Sequence, residues 1–108
     1  MDKVEKFTAV YNTGKVYLNW LVKEETTDCV YIIERSPDGS RFEVIGVKEG
    51  IASPFELLYS FIDTKPLQGI AYYRLKKLDT YGIASYSEPS IINNEENTQE
   101  NKPLSLNY

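Results

Sequence analysis

The chain has 108 residues, 42% of them hydrophobic, with a formal net charge of −4, one cysteine and no histidine. That length holds one core, and the composition is that of a globular chain able to fold without a metal or staple. The charge balance excludes the clustered Lys and Arg that a nucleic-acid backbone demands, lone Cys29 excludes an intrachain disulfide, and the apolar runs fall far short of the ~20 residues of a membrane-spanning helix.

Seven stretches rich in β-branched and aromatic residues follow one another at sandwich-like spacing. They run from Val4 to Tyr11, Lys15 to Val22, Cys29 to Ser36, Arg41 to Lys48, Leu57 to Asp63, Ile70 to Asp79 and Ile83 to Ile92. Side chains alternate between the two faces of a strand. In the second run Val16, Leu18, Trp20 and Val22 therefore share one face, and in the third Tyr31 and Ile33 lie opposite Val30, Ile32 and Glu34. Half-polar strands of this kind suit antiparallel sheets with one wet face. The run Leu75-Lys76-Lys77-Leu78-Asp79 breaks strict alternation, which predicts a bulge there.

Three turn signals point the same way. Asn12-Thr13-Gly14, Ser36-Pro37-Asp38-Gly39 and Asp79-Thr80-Tyr81-Gly82 each lie between consecutive runs, and they predict local hairpins. Residues 1–92 are thus read as one β-sandwich. Residues 93–103 are polar and acidic and read as a linker, and residues 104–108 turn apolar again, as at the start of a following sorting domain. No signal-peptide pattern opens the chain at Met1-Asp2-Lys3-Val4, so on this reading a leader belongs to a longer parent.

Trp20 in the second run, and Leu67 followed six residues later by Tyr73, carry a resemblance to the fibronectin type III superfamily over about Val4 to Ile92. The resemblance implies a seven-stranded antiparallel immunoglobulin-like sandwich. It places the first, second and fifth runs in one sheet and the other four in the second. It also implies a core tryptophan and a tyrosine whose hydroxyl bonds to the backbone of the preceding turn. The blocks Tyr31 to Gly39, Phe42 to Gly46, Tyr72 to Asp79 and Tyr86-Ser87 are similar to the variety of this module found near the C-termini of bacterial proteins exported by type IX secretion. That setting implies a secreted or cell-surface location.

The predicted core is Val16, Leu18, Trp20, Tyr31, Ile33, Leu67, Tyr73 and Leu75. Candidate contact residues are Tyr17, Tyr72 and Tyr81, which alternation or turn position directs to solvent. Without a histidine to act as base, Cys29 reads as a small buried hydrophobe and no Ser-His-Asp arrangement exists. Glu24, Glu25 and Asp28 crowd one turn, but their spacing matches no EF-hand loop, and a solvated loop is the expectation. Glu34 and Arg35 are placed to pair with Arg74 and Lys76 if the third and sixth runs are neighbours.

These readings predict no enzyme, no cofactor and no metal. The expected role is a spacer or interaction module of a larger exported protein, with neighbouring domains and other surface proteins or glycans as partners. The alternative is an accessory carbohydrate-binding module of a secreted glycan-active enzyme.

Overall fold

The computed structural model describes residues 4–94. They form eight strands: β1 (Val4–Asn12), β2 (Lys15–Val22), β3 (Cys29–Ser36), β4 (Glu43–Gly50), β5 (Leu57–Asp63), β6 (Ile70–Asp79), β7 (Ala84–Tyr86) and β8 (Ser90–Asn93). The protein is an all-β sandwich. One sheet has three strands in the order β1-β2-β5, and the other has five, in the order β4-β3-β6-β7 with β8 also pairing with β6. Every strand pairing is antiparallel.

The seventh expected run is two strands, not one. β7 pairs with Lys76 to Leu78 and β8 with Ile70 to Tyr73, both along one edge of β6. Between them Pro89 has no N–H to give a ladder. Ser87 holds the link instead: its N–H donates to the Leu75 carbonyl at 2.9 Å and its Oγ accepts from the Leu75 N–H at 2.9 Å. The expected bulge in β6 is absent, because β6 pairs with β3 in unbroken register from Tyr72↔Ser36 to Asp79↔Cys29. Alternation persists there because Lys77 faces inward to a charged partner. The register shifts fall elsewhere, at Val4/Lys6 against β2 and at Ile33/Glu34 against β4.

Turn chemistry follows the residues. Thr13 and Gly14 both have positive φ, at 52° and 82°, as the two-residue turns that match strand twist require. The β3–β4 turn is organised by Asp38, whose Oδ1 accepts from the N–H groups of Arg41 and Ser40 at 3.0 and 2.9 Å. Those bonds, Arg41 first, hold its carboxyl well below the usual carboxylate range.

Between the sheets lie Val16, Leu18, Trp20, Val22, Cys29, Tyr31, Ile33, Ala71, Tyr73 and Leu75, all buried, with half-buried Leu67 packed against them. Trp20 stacks on Tyr59 at 5.7 Å between centroids and meets the edge of Tyr31 at 5.5 Å. Aromatic pairs of this geometry contribute ~0.5–1.5 kcal/mol each beyond the area they bury. Among the described residues no acceptor meets Trp20 Nε1, so the indole acts through area and ring contacts.

Candidate functional site

The three candidate tyrosines lie in three separate places. Tyr17 sits on the outer face of the three-stranded sheet, between Val10 and Ile62 in register. Tyr72 is half-buried on the outer face of the five-stranded sheet, where its ring lies against Gly39 of the β3–β4 turn; a Cβ on that glycine would come within 3.2 Å of it. Tyr81, 81% exposed, is at the tip of the β6–β7 turn. They share no strip, because Tyr17 and Tyr72 belong to different sheets.

What the fold does bring together are charged groups, in three clusters. The first joins the two sheets at one end. Asp63, buried at the end of β5, accepts on Oδ2 from Arg35 Nη1 at 2.8 Å and from the Tyr73 hydroxyl at 2.7 Å. Its Oδ1 accepts from the Lys65 N–H at 3.1 Å. Arg35 also donates to Glu43 Oε2 from Nη2 at 2.7 Å and to the Lys65 carbonyl at 2.9 Å. Burial lowers the Arg35 pKa, but hydrogen bonds to Glu43 and Asp63 outweigh it and the net shift is upward. Burial first, and the bond to Asp63 second, push the Tyr73 phenol well above its ordinary range. The resemblance placed this hydroxyl on turn backbone; it donates to a carboxylate of the opposite sheet instead.

The second cluster ties the β2–β3 loop to the five-stranded sheet at the other end. Lys77 on β6 donates to Glu25 Oε2, both side chains being largely buried. Glu25 is held just past β2 by paired backbone bonds with Ser53, at 3.0 and 2.9 Å. Asp28 Oδ1 accepts from the Ala52 N–H at 2.8 Å. Thus Glu25 and Asp28 serve local structure rather than forming a carboxylate cage, and no group of three metal-ligating side chains lies together among the described residues. Cys29 is buried beside this cluster, and burial raises its thiol pKa.

The third cluster is on the outer face of the five-stranded sheet. Arg74 Nε donates to Glu34 Oε1 at 2.7 Å, and the guanidinium lies 3.8 Å from the Phe42 ring centroid and 4.4 Å from that of Tyr86. Lys76 lies 5.9 Å from the same Tyr86 ring. The expected Glu34–Arg74 pair forms because β3 and β6 are neighbours in that register. Arg35, a cation like Arg74 and Lys76, can form an ion pair with neither, and strand parity turns it inward to Asp63.

Two surface grooves accompany these clusters. One, of about 400 Å³, is lined by Val4, Phe7, Tyr86 and Pro89, and the other, of about 390 Å³, by Glu24, Thr26, Ala52 and Pro54. Sequence reading missed the Asp63 and Lys77 contacts. The one available signal was an uncompensated charge at an inward position of an alternating strand, as with Arg35 and Lys77.

The chain matches no protein-family model and no curated protein. Among solved structures it is similar to part of the pectate lyase Pel3 of Pectobacterium carotovorum, at TM-score 0.60 and 18% identity, covering 83% of this chain and 26% of that one. The chain therefore spans about a quarter of that lyase. The sensor domain of the anti-sigma factor RsgI4 of Pseudobacteroides cellulosolvens gives TM-score 0.48 and 15% identity, over 85% of this chain and 94% of that one. The likeness to the lyase segment is one of fold.

Proposed function

We propose that this chain is a fibronectin type III-like module serving as a non-catalytic, rigid spacer and interaction unit within a larger exported or cell-surface bacterial protein. The observation that carries the reading is the double clasp. Asp63 with Arg35 and Tyr73 ties one sheet to the other across the core at one end, and at the other Lys77 anchors Glu25 of the β2–β3 loop to the five-stranded sheet. Ions buried in this way resist separation, because parting them leaves an uncompensated buried charge. A sandwich fixed at both ends transmits distance without bending.

The lyase likeness supports the modular part of the reading, since there a unit of this shape occupies a fraction of a longer chain. The exported and type IX setting rests on the sequence blocks from Tyr31 to Ser87.

The test is replacement within the polypeptide that carries the module. Exchanging residues 4–94 for an unrelated sandwich of similar length preserves the activity and surface display of the neighbouring domains, whereas deletion impairs them. If exchange is as damaging as deletion, the module supplies a specific contact and the spacer reading fails.

A second reading, as an accessory glycan-binding module, is favoured by one observation: the similar solved segment belongs to an enzyme named for pectate. Tyr86, exposed and stacked on Arg74, would provide the ring face and basic group. Retention on immobilised pectate that Tyr86→Ala abolishes would establish it; no retention removes it.

A further inference from the structure

A sandwich has open sheet edges, and exposed edges invite pairing with other chains unless something blunts them. Three of the edges here are blunted. β1 carries a register shift at Val4/Lys6 with a lysine beside it. β4 faces a register shift at Ile33/Glu34 and bears Glu43, Lys48 and Glu49. β7 and β8 are three and four residues long, with Pro89 between them.

β5 has none of these devices. It is the outer strand of the three-stranded sheet and pairs with β2 in unbroken register from Leu57↔Val22 to Asp63↔Val16. Its sequence Leu-Leu-Tyr-Ser-Phe-Ile-Asp has no proline, no glycine and no charge before Asp63, whose carboxylate is already engaged by Arg35. Leu58 and Ile62 face outward at 67% and 46% exposure.

We propose that β5 is the pairing edge for a second copy of this chain, joined antiparallel about a two-fold axis through Ser60. The occupant is indicated by the strand itself, which is self-complementary about that residue. The two-fold register sets Ser60 opposite Ser60 of the second copy, Tyr59 opposite Phe61, and Leu58 opposite Ile62. No like charges face each other, as a closed isologous interface requires. The outer faces then continue across the junction. In the existing register Val10, Tyr17 and Ile62 form one cross-strand row, and Leu21 and Leu58 another. Pairing abuts the first row of one copy on the second row of the other, giving an apolar band Val10-Tyr17-Ile62 to Leu58-Leu21. Alternate backbone N–H and C=O groups of β5, which has no ladder partner but β2 among the described residues, complete the ladder. In this assembly Tyr17 is a contact residue by virtue of its neighbours on β2 and β5.

The experiment is sedimentation of the purified 108-residue chain across concentration, with charge placed on the axis. Wild type is expected to show a concentration-dependent dimer. Ser60→Lys and Ser60→Asp each set like charges directly opposite, so each alone sediments as a monomer, while an equimolar mixture of the two restores the dimer. Leu58→Lys, at an exposed site that does not test folding, also gives the monomer, and Val44→Lys on the β4 edge leaves the dimer intact. A wild type that stays monomeric at the highest attainable concentration, or a dimer that Ser60→Lys and Leu58→Lys leave unchanged, overturns the proposal.

Discussion

The Tyr73 hydroxyl donates to Asp63 Oδ2 across the interior at 2.7 Å, from the central part of one sheet to the outer strand of the other. Arg35 shares that oxygen at 2.8 Å, so one carboxylate receives a cation and a phenol from two neighbouring strands. Removing the carboxylate strands both. Asp63→Ala should lower stability by roughly 3–5 kcal/mol, the range for breaking a buried pair from one side. Tyr73→Phe leaves the ion pair in place and should cost about 1.5–3 kcal/mol, as for a hydrogen bond to a charged group. Urea unfolding of the single and double variants checks this, with a double-variant cost smaller than the sum because the two share a partner.

Alkaline pH should open the same clasp. The folded chain holds the Tyr73 proton more tightly than the unfolded chain does, through burial and then the Asp63 bond, and Tyr31 is likewise raised, chiefly by burial. A phenol raised on folding contributes its full stability below the unfolded value of about 10 and loses it as pH climbs through the folded value. Phenolate absorbance should therefore show Tyr31 and Tyr73 ionising only as the fold is lost, and Tyr73→Phe should flatten the decline above pH ~10. Smooth ionisation of every tyrosine near the unfolded value, with the fold intact, would contradict this.

Period-two alternation makes the inner face of β2 readable: Val16, Leu18, Trp20 and Val22 follow from their spacing and are buried. Tyr31 and Ile33 follow in the same way on β3. Alternation assigns a face but not a partner on the opposite sheet. Arg35 finds Asp63 28 residues away only once the sheets are packed, and nothing local marks that meeting. The stretch read as a linker from Asn93 begins differently, since Asn93 ends β8 and buried Asn94 accepts from the Gly69 N–H at 2.6 Å and donates to the Leu67 carbonyl at 2.8 Å. Those contacts depend on β8 lying beside the start of β6. The remainder of that linker, and residues 104–108, lie outside the described residues.

Gly50 marks where β4 approaches the aromatic core. A Cβ there would sit 2.6 Å from both Cys29 Sγ and the Tyr31 ring, two buried groups with little room to give. Gly50→Ala should cost about 1–3 kcal/mol by overpacking. Combining it with Cys29→Ala, which trims one of the two obstacles, should recover part of the loss in thermal unfolding.

Arg74 is held by shape as much as by charge. Its planar guanidinium lies against Phe42 and Tyr86 while bonding Glu34, and an ammonium cannot reproduce that stacking. Arg74→Lys should cost ~0.5–2 kcal/mol, the scale of cation–π contacts at partly exposed sites. Raising salt should leave most of the difference, because stacking is screened less than the Glu34 pair.

Native-state hydrogen exchange tests most directly whether the two sheets form one rigid unit. The slowest amides of β2 and of β6, the inner strands of the two sheets, are expected to exchange with the same opening free energy, and Asp63→Ala should lower both by the same amount. If β2 opens at a much lower free energy than β6, or if Asp63→Ala lowers one sheet and leaves the other unchanged, the sheets are not clasped into one unit and the rigid-spacer account is wrong.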